Sequence, residues 1–277
     1  MKHDEGTFKG FDAITLQYQA WRPDGAPRAV LLIVHGFGEH IGRYNNVVDG
    51  LVPRGYAVWG FDQRGHGRSE GRRGHISAWR DYREDLANFV RFVSAHEKTP
   101  NLFMLGHSLG SLIAQDYLLH YPEGLRGCIL SGILFEPVGA AKPALVAAAK
   151  LLSRILPTFP LDLRLETSAL SRIKDVVQAY EHDPLVHHKA TPRFGTESLK
   201  TIEWVKTHSP EWNVPVLILH GDSDRINAPH GSHVFYDLVR IPEKEMRLYP
   251  GGYHESHNDL DYPRVVRDMD TWMSKHM

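Results

Sequence analysis

Gly106-His107-Ser108-Leu109-Gly110 is the stretch of this chain best built for nucleophilic chemistry. The apolar run Leu102-Phe103-Met104-Leu105 precedes it, and a helical pattern at Leu109, Leu112, Ile113 and Tyr117 follows at once. That context predicts a strand, a sharp turn and a helix, the arrangement of a nucleophile elbow. Bulky side chains two residues to either side of the serine would collide in such a turn, so Gly106 and Gly110 have a steric reason. The Ser108 hydroxyl is expected at the head of the helix, beside the Leu109 N–H.

A serine hydroxyl is a poor nucleophile until a base takes its proton, and the base needs a carboxylate to fix its tautomer. In open α/β sheets ligands bind beyond the carboxyl ends of the strands, so partners are sought just after each apolar run. After Leu219 comes His220-Gly221-Asp222-Ser223-Asp224, and after Tyr249 comes Pro250-Gly251-Gly252-Tyr253-His254-Glu255-Ser256-His257. His254 closes a Gly-Gly-Tyr-His turn and is the expected base. His257 is its competitor, and otherwise a polar pocket residue. Asp224 sits further round its loop than Asp222 and can reach sideways, so it is the expected orienting acid; Asp222 braces its own turn. The oxyanion needs two backbone donors. Leu109 N–H is one, and Phe37 N–H in His35-Gly36-Phe37-Gly38 is the expected other, with Gly36 and Gly38 allowing close approach.

The elements that must hold these loops are legible as apolar patterns. Ile14, Leu16 and Tyr18 alternate with polar neighbours up to Arg22-Pro23-Asp24-Gly25, predicting one or two antiparallel edge strands. Ala29 to Val34, Tyr56 to Phe61, Leu102 to Leu105, Gly127 to Ile133 and Val214 to Leu219 suit strands buried on both faces, with Met246 to Tyr249 a weaker case. One helical face gathers Trp79, Tyr82, Leu86, Phe89, Val90 and Val93, another Tyr262, Val265, Val266, Met269, Trp272 and Met273. The fold class is therefore α/β, a mainly parallel central sheet flanked by helices. Between about Leu134 and Thr201 the alternation breaks, punctuated by Pro137, Pro143, Pro157 and Pro160. This reads as a mostly helical insertion in a single domain spanning 1–277. Its first helix, about Pro143 to Leu156, carries Lys142, Lys150 and Arg154 on one side and a wide apolar arc. The arc can pack on the domain beneath or form a lid that touches lipid, and the two can coexist.

Bulk properties exclude several classes. A net charge of −1 gives no electrostatic case for nucleic acid or anionic membrane. No apolar run approaches a membrane span, and no signal peptide is visible, so a cytoplasmic protein, peripheral to membrane if the lid docks, is expected. The single Cys128, in an apolar run, reads as a buried strand cysteine. None of the 18 histidines falls in a zinc-like pattern, and no metal is expected. His66, between glycines, reads as a turn brace.

Several of these stretches together carry a resemblance. They are His35-Gly36-Phe37-Gly38-Glu39-His40 with Gly42-Arg43-Tyr44, Gly65-His66-Gly67-Arg68-Ser69-Glu70-Gly71, and Gly106 to Gly110. Ala169-Leu170-Ser171-Arg172, Tyr180 and Asp183-Pro184-Leu185 in the insertion add to them. Over nearly its whole length the chain resembles the monoacylglycerol lipase and lysophospholipase group of α/β-hydrolases, in which the order Ser, Asp, His is required. The resemblance implies a helical cap over an apolar tunnel for one acyl chain, a Ser108–Asp224–His254 triad, Phe37 and Leu109 as oxyanion donors, and no cofactor. It gives Glu39, Arg43, Tyr180 and His257 a role around the polar head of the ester. For Glu39 and Arg43 a local ion pair, four residues apart, is the competing account. Animal members carry a cysteine shortly after the catalytic aspartate, where this chain has Asn227 nearby. The implied activity is hydrolysis of a small lipid ester with one acyl chain, most simply a monoacylglycerol. A lysophospholipase or a carboxylesterase for small soluble esters would share the machinery. Haloalkane dehalogenases and epoxide hydrolases of this fold use an aspartate at the elbow, which Ser108 argues against. The intact set of three residues argues against a non-catalytic ligand sensor.

Overall fold

The computed structural model describes residues 1–136, 143–163 and 165–277. Pro137 and Lys142, singled out above, lie outside the described residues, as do the side chains of Pro143 and Leu145. Among the described residues ten strands form: β1 (Lys2–Lys9), β2 (Thr15–Arg22), β3 (Ala29–Val34), β4 (Tyr56–Phe61), β5 (Leu102–His107), β6 (Gly127–Ser131), β7 (Leu161–Asp162), β8 (Lys189–Ala190), β9 (Val216–Gly221) and β10 (Lys244–Tyr249). Eight of them make one sheet in the order β1-β2-β4-β3-β5-β6-β9-β10. The six from β4 to β10 in that order run parallel, and β1 and β2 join antiparallel at one side. The alternating stretch from Ile14 is β2, the inner of two antiparallel strands at this edge: it pairs Tyr18 with Phe61 of β4, and β1 covers its other side. The mostly exposed, charge-rich β1 suits an edge, where few positions meet a core.

Eight α-helices among the described residues alternate with the strands: α1 (Asn45–Leu51), α2 (Arg80–His96), α3 (Leu109–His120), α4 (Pro143–Ile155), α5 (Lys174–His182), α6 (Pro192–His208), α7 (Pro229–Leu238) and α8 (Tyr262–Lys275). Successive strand residues point to opposite faces, so each buried strand feeds two cores. Ala29, Leu31 and Ile33 of β3 join α1 and α8 on one face; Val30, Leu32 and Val34 join α2, α3 and α6 on the other. The six-residue strands β3, β4, β5 and β9 are buried at every position, as their continuous apolar runs require.

Between β6 and β9 the chain leaves the sheet to form α4, α5, the two-residue antiparallel pair β7–β8, and α6. The described residues of the proline-marked stretch are therefore largely helical. Helix α6 runs past Thr201, and its Ile202 and Val205 pack into the core beneath. No helix among the described residues is long and apolar enough to cross a membrane.

Candidate active site

At the carboxyl end of β5 the backbone turns through Ser108, which holds φ 51° and ψ −118°, a left-handed region that a side chain rarely occupies. The turn is fastened by Ser108 N–H donating to the Ser131 carbonyl (3.0 Å) and by Ser111 Oγ–H donating to the Ser108 carbonyl (2.6 Å). A Cβ at Gly106 would lie 2.6 Å from the Gly110 carbonyl oxygen, and one at Gly110 would run into the Val34 carbonyl. Both glycines are needed for steric reasons, as their spacing predicts. Ser108 then stands before the first turn of α3, where the Leu109 N–H has no intrahelical acceptor.

The His254 ring approaches from the loop after β10. Its Nδ1 lies 2.7 Å from Asp224 Oδ2, and Asp224 Oδ1 accepts the Ile226 and Asn227 N–H groups at 2.8 and 3.0 Å. Burial pushes the Asp224 carboxyl up, but the His254 charge and hydrogen bonds from His220 and His254 outweigh it and hold the group well below the usual carboxylate range. Burial pulls the His254 imidazole down; the Asp224 carboxylate and its hydrogen bond, with Glu255 and Glu39 beyond, outweigh that and raise it. Asp222, in contrast, accepts the Gly251 N–H at 2.7 Å and ties its turn to the neighbouring loop. His257 has no hydrogen bond to Asp224. It stacks flat on Tyr44 (4.7 Å between centroids) and edge-on to His107 (4.8 Å), fully buried and back from the cavity wall.

Facing Ser108, the loop His35–His40 is braced from within. A carbonyl only accepts, so His35 Nδ1–H donates to the Gly36 oxygen (2.8 Å), while Nε2 accepts the Gln63 N–H (2.9 Å). The peptide is planar, so holding the Gly36 carbonyl also fixes the direction of the Phe37 N–H. Burial pushes the His35 imidazole down to about 3, which keeps this neutral tautomer. His35 was not singled out from sequence; its place directly before the glycine-rich turn was the available signal.

Glu39 and Arg43 do form the local ion pair (2.7 Å), across a 3₁₀ turn at Ile41–Arg43, and both also line the cavity. Sequence reasoning missed the third member. Arg43 donates to both Glu255 oxygens, at 2.6 and 2.8 Å, and its guanidinium lies 4.6 Å from the Tyr180 ring centroid. Burial raises the Glu39 carboxyl, with Arg43 opposing and Glu255 adding to the rise. Burial also presses on Glu255, but Arg43 wins there and lowers it. Asn227, buried at the cavity wall, donates to the Gly132 carbonyl at 2.8 Å. His66 bonds back to the Arg64 carbonyl (3.1 Å) and packs against His35 and Phe37.

The chain matches a family model described as serine aminopeptidase, S33 (Hydrolase_4), over residues 25–261. It is 34% identical over 274 residues to the monoacylglycerol lipase of Mycolicibacterium smegmatis, spanning 99% of this chain and 98% of that one. It is 33% identical to the monoglyceride lipase of Rattus norvegicus, spanning 92% of this chain and 85% of that one. The chain belongs to the monoacylglycerol lipase group of the α/β-hydrolases. The solved monoacylglycerol lipase of Paleococcus ferrophilus superposes on this α/β-hydrolase with a TM-score of 0.84 at 29% identity, each chain fully covered. A monoglyceride lipase of Saccharomyces cerevisiae, solved with a substrate analogue, gives 0.85 at 26%, over 100% of this chain and 95% of that one.

In this α/β-hydrolase a cavity of about 870 Å³ opens onto Ser108. Phe37, Leu109 and His254 stand on its wall beside the serine. Its lining includes the polar cluster Glu39, Arg43, Glu255 and Tyr180 and the apolar side chains Leu161, Leu163, Leu165, Leu170, Phe194 and Ile202. Five of those six apolar residues come from the stretch between β6 and Thr201. That stretch is strapped to the loop carrying His254 by His254 N–H to the Ala169 carbonyl (3.2 Å) and Glu255 N–H to the Leu170 carbonyl (2.8 Å).

Proposed function

We propose that the chain is a carboxylic ester hydrolase that releases a fatty acid from a monoacylglycerol through an acyl-enzyme on Ser108. His254 takes the Ser108 proton as the oxygen attacks the ester carbonyl, then gives it to the departing glycerol oxygen. Asp224 holds the imidazole tautomer and balances its charge. The Phe37 and Leu109 N–H groups receive the oxyanion, each worth about 10²–10³ in kcat. Water, activated by the same His254, then frees the fatty acid and restores Ser108. No cofactor enters these steps.

The observation that carries this reading is the lining of one cavity at the serine, where a polar cluster shares the wall with a larger set of apolar side chains. The apolar lining suits one acyl chain, which favours a lipid over a small soluble ester. The polar cluster favours glycerol over a phosphate-bearing head. Arg43 is held by Glu39 and Glu255 through three hydrogen bonds, so its fork is occupied, and a phosphate there would face two carboxyl groups. Residues 134–201 are read as the cap of a single domain, and its exposed apolar side chains as a transient contact with membrane. A protein of the cytoplasm, peripheral to membrane, fits that reading.

A substrate panel tests it: monoacylglycerol, diacylglycerol, lysophosphatidylcholine and short p-nitrophenyl esters, against wild type and Ser108→Ala. Monoacylglycerol is expected to give the highest kcat/KM and Ser108→Ala to remove it. Preference for lysophosphatidylcholine or for the short esters overturns the substrate assignment, and activity retained by Ser108→Ala overturns the mechanism.

A further inference from the structure

Asp224 accepts a fourth hydrogen bond that the proposed mechanism does not use. His220, on β9, places Nε2 2.9 Å from Asp224 Oδ2, the same oxygen that meets His254 Nδ1 at 2.7 Å. The Asn227 carbonyl lies 3.2 Å from the same Nε2. Both neighbours are acceptors, so Nε2 carries a proton. Its other nitrogen, Nδ1, lies 2.6 Å from the Ser232 hydroxyl of α7, which anchors the ring from the far side. His220 and Ser232 are both fully buried.

We infer that His220 is a positioning residue for the triad: its Nε2–H shares Asp224 Oδ2 with the Nδ1–H of His254 and so sets how strongly that oxygen holds the imidazole proton. The inference rests on Ser108, His254 and Asp224 acting as proposed above. A carboxylate oxygen that accepts two N–H groups is a weaker base than one that accepts a single group. Without His220, Asp224 would draw harder on His254, which would keep its second proton to higher pH. The base form would then appear later as pH rises. The other groups facing the His254 ring are His107, at 4.8 Å between centroids, and Glu255 and Glu39, with His257 behind His107 and Arg43 between the glutamates. None of them is hydrogen-bonded to His220.

The experiment is the pH dependence of kcat/KM on a soluble p-nitrophenyl ester for wild type, His220→Met, His220→Gln and Asp224→Asn. Met and Gln are near isosteres, and only Gln carries an N–H at the Nε2 position. His220→Met is expected to move the acid limb up by about 0.5–1 pH unit, with KM little changed, since one unit is a tenfold change in the base form at a given pH. His220→Gln is expected to keep the wild-type limb. Should the Met variant fail to fold, His220→Asn, whose amide falls short of Asp224, makes the same comparison. Equal limbs in the donor and non-donor variants, or a loss confined to KM, overturn the proposal. Failure of the underlying triad reads differently: Asp224→Asn would then retain near wild-type activity.

Discussion

Arg43 grips both oxygens of Glu255, the residue next to His254, while its other ion-pair partner, Glu39, lies on the loop that carries Phe37. One buried guanidinium therefore joins the loop of the proposed base to the loop of a proposed oxyanion donor. Removing the cation alone leaves two buried carboxyl groups unpaired, which typically costs about 3–5 kcal/mol. Arg43→Met is expected to lower the melting temperature strongly. The triple variant Glu39→Gln, Arg43→Met, Glu255→Gln is expected to recover part of that loss. Thermal melts of both variants make the check, and equal melting temperatures for Arg43→Met and wild type refute it.

The acid can be assigned by comparing two neighbours. Asp224→Asn keeps the shape but offers a side chain that permits the wrong His254 tautomer, a change that costs about 10⁴ in kcat in the Ser-His-Asp template. Asp222 touches the Gly251 N–H and the adjacent Ser223 hydroxyl, so Asp222→Asn is expected to stay within a few-fold of wild type. Steady-state kcat values decide, and a larger loss in Asp222→Asn reverses the assignment.

Much of this arrangement is written locally. The elbow follows from a steric rule spanning five residues, and the buried strands follow from unbroken apolar runs such as Ala29 to Val34. What escaped reading depends on pairs far apart in sequence. Glu255 looks like one more loop carboxylate until folding brings Arg43, 212 positions away, against it. The two histidines of one motif also part company only in three dimensions. His254 reaches Asp224, while His257 turns under Tyr44, because the short 3₁₀ turn at Ser256–Asn258 swings it towards α1. Strand β1 was invisible for another reason: seven of its eight residues are exposed or half-buried, so no apolar pattern marks it.

A general base must be neutral to act, so activity should fall as pH drops through the His254 pKa. That pKa is raised above its ordinary value of about 6.5, chiefly by Asp224 against the opposing effect of burial. The protonated form therefore persists to higher pH, and the acid limb of kcat/KM is expected above pH 6.5. Glu255→Gln removes a negative charge facing the ring and should move the limb down. A limb that stays in place or moves up in Glu255→Gln contradicts the charge argument.

Gly106 offers a test of the elbow that touches no reacting group. A Cβ there would meet backbone, the Gly110 oxygen at 2.6 Å and Ser111 Cα at 2.9 Å, so no side-chain rotation relieves it. Gly106→Ala is expected to cost about 1–3 kcal/mol, the usual range for overpacking, and to lower kcat by displacing Ser108. Denaturant unfolding together with kcat on a soluble ester measures both effects. Full stability with full activity would show that the turn is not tight.

Helix α4 and the residues just after it carry their apolar side chains unevenly. Leu151 and Ile155, one turn apart on α4, are 60% and 65% exposed, and Leu156 and Phe159 beyond the helix are 48% and 50% exposed. Ser153, between them in sequence, faces the other way and bonds to Thr196 of α6 at 2.9 Å. Among the described residues, Ser153 therefore faces α6 while Leu151, Ile155, Leu156 and Phe159 stand exposed to solvent. Leu152 is half-buried and Leu145 lies outside the described side chains, so the strip to test is Leu151, Ile155, Leu156 and Phe159. Burial of a large apolar side chain is worth about 1.5–3 kcal/mol, and partial burial of four such groups is enough for reversible docking. Replacing all four with serine is expected to lower flotation with neutral phosphatidylcholine vesicles at least tenfold while leaving turnover of a soluble ester unchanged. With a chain net charge of −1, added anionic lipid should not restore binding, and salt should alter it little. Flotation equal to wild type in the serine variant, or none in either protein, removes the membrane contact from the function.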